Sequence, residues 1–250
     1  MPRILSTLAS AAVRVAADVR EAFDELFPPV VASEVKTAED EGWHIDPPHA
    51  YCHRCGATVG PGEATDRGCS RCVSESIPWD GLIRLAAYKP PVSGWLVAMK
   101  FHRVWSWGPW FGRQLAERVQ SVADPSRTIV CPVPMPALRR WRRGYNQADL
   151  IAQAFADRLQ LPCAHLLRRR GRQTPQTNVP PSQRAANVRH AFAMERVDPA
   201  GWHVWLIDDV KTTGSTLGAC VRLLKSAGVA SVNIAVAAVA DPKNADFKVK

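Results

Sequence analysis

Val204-Trp205-Leu206-Ile207-Asp208-Asp209-Val210-Lys211-Thr212-Thr213-Gly214-Ser215-Thr216 is the stretch that sets the reading of this chain. Its apolar and aromatic start reads as a buried parallel strand, which the two acids are expected to end. A hydroxyl-rich loop with one glycine follows. Leu217, Cys220, Val221 and Leu224 then recur at helical spacing, so the loop opens a helix. Strand, small-residue loop and helix N-terminus together make an anion site, because free backbone N–H groups and the helix dipole face outward there. Gly214 lets a phosphate approach the backbone, and Thr212, Thr213, Ser215 and Thr216 add hydroxyl donors. Asp208 and Asp209 would repel the phosphate itself; they suit sugar hydroxyls or a hydrated metal one step away. An ordinary strand–turn–helix with solvated acids is the bland alternative, disfavoured by the order of acids and hydroxyls on these elements.

The run Ile207 to Thr216 resembles the phosphoribosyl pyrophosphate (PRPP) loop of type I phosphoribosyltransferases, in which two acids precede Thr-Thr-Gly-Xaa-Thr. The resemblance implies that Asp208 and Asp209 hold the ribose hydroxyls. It also implies that Lys211, Thr212, Thr213, Gly214, Ser215 and Thr216, with Val210 between, cradle the 5′-phosphate. The Walker spacing of a P-loop NTPase is absent.

Upstream, Ile129-Val130-Cys131-Pro132-Val133 reads as a second strand, ended by Pro134 and Pro136. A loop with Arg139, Arg140, Arg142 and Arg143 follows, and Ala148, Ile151, Ala152, Phe155 and Leu159 mark a helix with Asn146 near its N-cap. This repeats the strand–loop–helix plan with arginine forks, which suit di- and triphosphates and a departing pyrophosphate. A solvated basic loop or a nucleic-acid patch is the competing reading.

The chain has 250 residues, enough for one full domain plus a small module, with roughly 70–75% of the unfolded surface buried. A net charge of +9 and a pI near 9.5 point to anionic partners: phosphates, nucleotides or nucleic acid. No apolar run reaches the roughly 20 residues of a membrane span, and charges at Arg14, Asp18 and Arg20 argue against a secretory signal.

Four of the seven cysteines form two knuckles, Cys52-His53-Arg54-Cys55 and Cys69-Ser70-Arg71-Cys72, thirteen residues apart. Four thiolates at that spacing converge on a structural Zn²⁺, whose binding supplies folding energy that so small a piece lacks. Such cysteine use fits a reducing compartment, and the expected location is cytoplasmic. Cys131, Cys163 and Cys220 fall in apolar patterns and are expected to be buried.

Arg143-Gly144-Tyr145-Asn146-Gln147-Ala148 with Leu150 resembles the signature of ComF-type competence proteins. That family joins an N-terminal zinc ribbon to a phosphoribosyltransferase-like domain. Thr174-Pro175-Gln176-Thr177, Arg184, Asn187 and Ala191-Phe192 follow in the family's order, so the likeness covers nearly the whole chain. It implies PRPP with Mg²⁺ as ligand, a nitrogen nucleophile as acceptor, and a role near DNA uptake or nucleotide salvage. Partners implied alongside are single-stranded DNA and competence-machinery proteins. In this reading Asp208, Asp209 and Arg184 carry catalysis, while Arg142, Arg143, Tyr145, Asn146 and Gln147 face the pyrophosphate. Cys52, Cys55, Cys69 and Cys72 ligate zinc. The alternative is a single-strand-binding factor whose transferase site is vestigial or a nucleotide sensor.

The expected architecture is α/β, a doubly wound and mostly parallel sheet with a small zinc-ribbon module. Its expected parts are an amphipathic helix at 1–29, a linker without periodicity at 30–50 and the ribbon at 51–76. The transferase-like domain follows at 77–242, with a frayed tail at 243–250. Within that domain Ser93 is expected to cap a helix bearing Trp95, Leu96 and Met99, and Pro109 to open another. Residues 164–190, with Arg168, Arg169, Arg170 and Arg172, read as a long exposed loop able to act as a lid.

Overall fold

The computed structural model describes residues 30–170 and 191–240. The expectations for 1–29, for the lid with Arg184 and Asn187, and for the tail lie outside these residues. The described residues up to His44 and those from Ile45 onward form separate compact units.

The first unit contains helix α1, Val30–Asp40. A linker was expected here, and the helix corrects that reading. Val31, Val35 and Ala38 fall at i, i+4 and i+7, a weak apolar stripe hidden among charges, and the Thr37 hydroxyl donates back to the Ser33 carbonyl at 2.9 Å.

The second unit is built on four parallel strands in the order β1 (Gly81–Ala87), β6 (Ser231–Val239), β5 (His203–Lys211) and β2 (Thr128–Pro132). Helices cover both faces. On one side lie α2 (Val92–Phe101), α3 (Trp107–Ala116) and α5 (Gln147–Leu159); α6 (Ser215–Ser226) takes the other. Alternation along β5 divides the contacts. Trp205 meets Phe155 of α5 at 5.5 Å, while Val204 and Leu206 join Leu217, Cys220 and Leu224 of α6 in a buried cluster. Between α2 and α3, Trp95 stacks on Trp107 at 4.4 Å, so these tryptophans are core bulk.

Four local expectations change. Ser93 sits inside α2, whose N-cap is Pro91 with no side-chain cap. The arginine loop is a short helix, α4 (Ala137–Arg143), ended by Gly144 at φ 84°. The acids do not end their strand: β5 runs on to Lys211, because β6 continues alongside it and pairs Asp208 with Val236 and Lys211 with Val239. The arginine run after His165 begins as strand β3 (Leu167–Arg169), antiparallel to β4 (Phe192–Met194). Cys131 and Cys220 are buried as expected, but Cys163 is only half-buried.

The cysteine knuckles press against the edge of the sheet. Leu82 N–H of β1 donates to the His53 carbonyl at 2.7 Å. A Cβ on Gly56 would lie 2.8 Å from Leu82 Cδ2 and from Val239 Cγ2, so only glycine fits there. Buried Arg84 of β1 donates to the Gly56 carbonyl at 2.7 Å, the Thr58 hydroxyl at 2.9 Å and the Asp46 carboxylate at 2.6 Å.

Candidate active site

Register brings the two loop regions to one edge. Pro132 of β2 pairs with Ile207 of β5, and Val133 N–H donates to the Ile207 carbonyl at 2.9 Å. The chain therefore leaves β2 one residue before the acids begin, and both exits open on the same side, at the carboxyl ends of the strands.

A cavity of about 670 Å³ occupies that edge. Asp208, Asp209, Val210, Thr212 and Thr216 line one side. Arg139, Arg143, Asn146 and Gln147 line the other, joined by Arg169 from β3 and Lys100 from the end of α2. Four cations thus face two carboxylates. Asp209 Oδ2 lies 2.8 Å from Lys100 Nζ, and Asp209 N–H donates to Asp208 Oδ1 at 2.9 Å. Burial first, then the Asp209 charge beside it, pushes the half-buried Asp208 carboxyl well above the ordinary carboxylate range.

Gly214 is the N-cap of α6 at φ 78°, a left-handed conformation that strains any side chain. A Cβ there would also meet Trp79 at 3.1 Å and Lys211 Cε at 3.3 Å. The next turn is pinned by Thr213 Oγ1, which sits 2.9 Å from Ser215 Oγ and accepts from Ser215 N–H at 3.4 Å. Trp79 itself donates from Nε1 to the Arg54 carbonyl at 2.6 Å. The ribbon therefore reaches the phosphate-type loop through one indole.

The basic side is held by Asn146. Its Oδ1 accepts from Ala148 N–H at 3.3 Å as the N-cap of α5, and its Nδ2 donates to the Val133 carbonyl at 3.1 Å. Gln147 Oε1 accepts from Arg143 at 3.2 Å, and its buried Nε2 has no hydrogen-bond acceptor in ideal geometry among the described residues. Burial lowers the pKa of Arg143 and Arg169, yet a guanidinium starts so high that both keep their charge.

Of the residues singled out in the sequence, Asp208, Asp209, Val210, Thr212, Thr216, Arg143, Asn146 and Gln147 come together in the cavity. Thr213, Gly214 and Ser215 shape the adjoining turn. Lys211 does not line the cavity: it is packed beside Gly214, where burial depresses its pKa and nearby Cys55 and Glu75 oppose that shift. Arg142 also stays outside, and Tyr145 turns back to donate to the Met99 carbonyl. Sequence reading missed Lys100 and Trp79; it placed Arg139 in the basic loop without a role of its own, and Arg169 in an exposed lid. Lys100 had a faint signal, a lone cation at the end of an apolar helix; its partner lies 109 positions away in the chain.

The four cysteines cluster with all Sγ atoms within 4.8 Å. Cys52–Cys72, Cys55–Cys69 and Cys69–Cys72 are separated by 3.7, 3.6 and 3.9 Å. A tetrahedron with Zn–S bonds of about 2.3 Å has edges of about 3.8 Å, so the donor set fits zinc. Ala57, Val59, Ala64 and Ile77 pack around it, and all four positions are filled by protein, as in structural sites.

Residues 145–250 match the phosphoribosyl transferase domain family. Competence protein F of Haemophilus influenzae is 31% identical over 195 residues, spanning 74% of this chain and 82% of that protein. The chain belongs to the competence protein F family. Another relative in this family, DNA utilization protein YhgH of Escherichia coli K12, is 32% identical over 191 residues, covering 73% of this chain and 81% of its own length. Among solved structures, the glutamine PRPP amidotransferase of B. subtilis overlaps 53% of this chain and 26% of its own, at 23% identity and a TM-score of 0.38. That overlap is too partial to assign the fold, which rests on the strand order and the domain match. The family's transferase-type domain here includes the acid pair and its loop; Lys100 and the ribbon precede the matched segment.

Proposed function

We propose that the cavity binds PRPP as its magnesium complex and transfers phosphoribose to a nitrogen nucleophile. The C1′–oxygen bond breaks, the electron pair leaves on pyrophosphate, and a C1′–nitrogen bond forms. The supporting observation is one cavity that faces the acid pair, the hydroxyl loop and four cations at once. Asp208 and Asp209 would hold the ribose hydroxyls, and the turn at 212–216 the 5′-phosphate. Arg139, Arg143 and the Gln147 amide would hold the pyrophosphate. Such a site acts by positioning and charge stabilisation.

PRPP at about 100 times its Kd should add about 2.7 kcal/mol of stability, raising Tm by several degrees. The rise should require Mg²⁺ and vanish on Asp208→Asn with Asp209→Asn. Absence of a magnesium-dependent rise in the wild type would overturn the reading. A pyrophosphate-release screen across bases and amines would then identify the acceptor.

One observation favours a second reading, single-stranded DNA binding, in keeping with the names of the relatives. Trp141 on α4 is 82% exposed, flanked by Arg139, Arg140 and Arg142. An exposed indole among guanidiniums suits base stacking beside a phosphate backbone. Trp141→Ala should then weaken oligonucleotide binding by about 1–3 kcal/mol, with a steep salt dependence. That binding should survive loss of both acids.

A further inference from the structure

Lys100 stands between the two halves of the cavity. Its Nζ is 2.8 Å from Asp209 Oδ2, with the side chains only 20% and 15% exposed. Its position is fixed from both neighbours. The Met99 carbonyl accepts from Tyr145 Oη, and the Arg143 guanidinium lies over the Phe101 ring at 5.0 Å. The segment that carries the basic wall therefore sets the lysine that meets the acids.

Two adjacent carboxylates in a partly closed cleft have two electrostatic consequences. They repel a sugar phosphate, and they attract any free divalent cation. Lys100 cancels one of the charges. With it, four cations line the cleft and Asp209 is paired; without it, three cations remain and Asp209 loses its ion pair.

We propose that Lys100 is a specificity-determining residue. By pairing with Asp209 it makes the empty cleft refuse a free divalent cation and accept the phosphorylated sugar with its own magnesium. When the ribose hydroxyls reach Asp209, the ammonium is released toward the pyrophosphate oxygens beside Arg143. This rests on the reading that the cleft takes PRPP, and it adds a role for a residue outside the matched domain segment.

The test uses the full-length, zinc-loaded protein and Mn²⁺ alone, followed by calorimetry and by the spin-resonance signal of free Mn²⁺. Lys100→Met should bind Mn²⁺ at least tenfold more tightly than wild type. Lys100→Arg, which keeps the charge, should stay near wild type. Adding Asp208→Asn and Asp209→Asn to Lys100→Met should erase the gain and so locate the ion. In parallel, Lys100→Met should bind PRPP–Mg²⁺ at least tenfold more weakly. The proposal is overturned if Lys100→Met gains no Mn²⁺ affinity, or if Lys100→Arg gains as much. Should circular dichroism show Lys100→Met unfolded, Lys100→Gln takes its place with the same expectations. If wild type ignores PRPP, the functional reading fails while the Mn²⁺ comparison still reports on Lys100.

Discussion

Asp208 illustrates how a cleft carboxyl is held at a cost to the fold. Its carboxyl is driven up by burial and by Asp209, so ionising it works against the fold. A folded pKa above the unfolded one gives stability that is complete below about pH 4 and is lost as pH rises through the raised value. Asp208→Asn keeps an oxygen for the Asp209 N–H and removes the ionisation. The unliganded variant should therefore match wild type near pH 4 and exceed it at pH 8. A gain of about 1 kcal/mol would raise Tm by about 2–4 °C in a chain of this size, read by calorimetry at both pH values. The same variant should lose PRPP-dependent stabilisation, the trade expected where a site is strained for function.

At the scale of elements, the scaffold behind the site depends on close helix approach. A Cβ on Gly112 of α3 would lie 2.4 Å from the Ile151 carbonyl oxygen and 2.9 Å from Phe155 N, both backbone atoms of α5. Neither can yield without moving a helix. Gly112→Ala should cost about 3 kcal/mol or more, measured by urea unfolding, despite the better helix propensity of alanine. Loss of less than about 1 kcal/mol would show that α3 and α5 slide freely. The strong periodic elements were legible in the sequence: the strand at 203–207, though not its continuation to Lys211, the helix after it and the helix capped by Asn146. Weak or crossed signals were not. The α1 stripe is three small apolar residues among charges. The α4 helix looked like a loop because its arginines, Leu138 and exposed Trp141 give no buried face. The acids of the site were legible because their loop is local in sequence. Lys100 and Arg169 were not, since only the folded sheet brings α2 and the paired strands β3 and β4 to the cavity rim.

On the scale of the whole second unit, the four-cysteine module is a wall of the domain. Arg84 ties it to β1, and Trp79 carries it to Gly214. Metal analysis should find one zinc per chain. Stripping it with a chelator, or Cys52→Ser, should cost roughly 4 kcal/mol or more, about 10 °C in Tm, and should also shrink stabilisation by PRPP. An unchanged PRPP response after zinc loss would separate ribbon from site. The docked ribbon has one more effect. It occupies β1 through the His53 carbonyl, and at the opposite margin Pro162 and Ala164 bond to Val130 of β2. With both flanks of the sheet engaged at these positions, an extended peptide from a companion protein could add a fifth strand only by displacing those contacts.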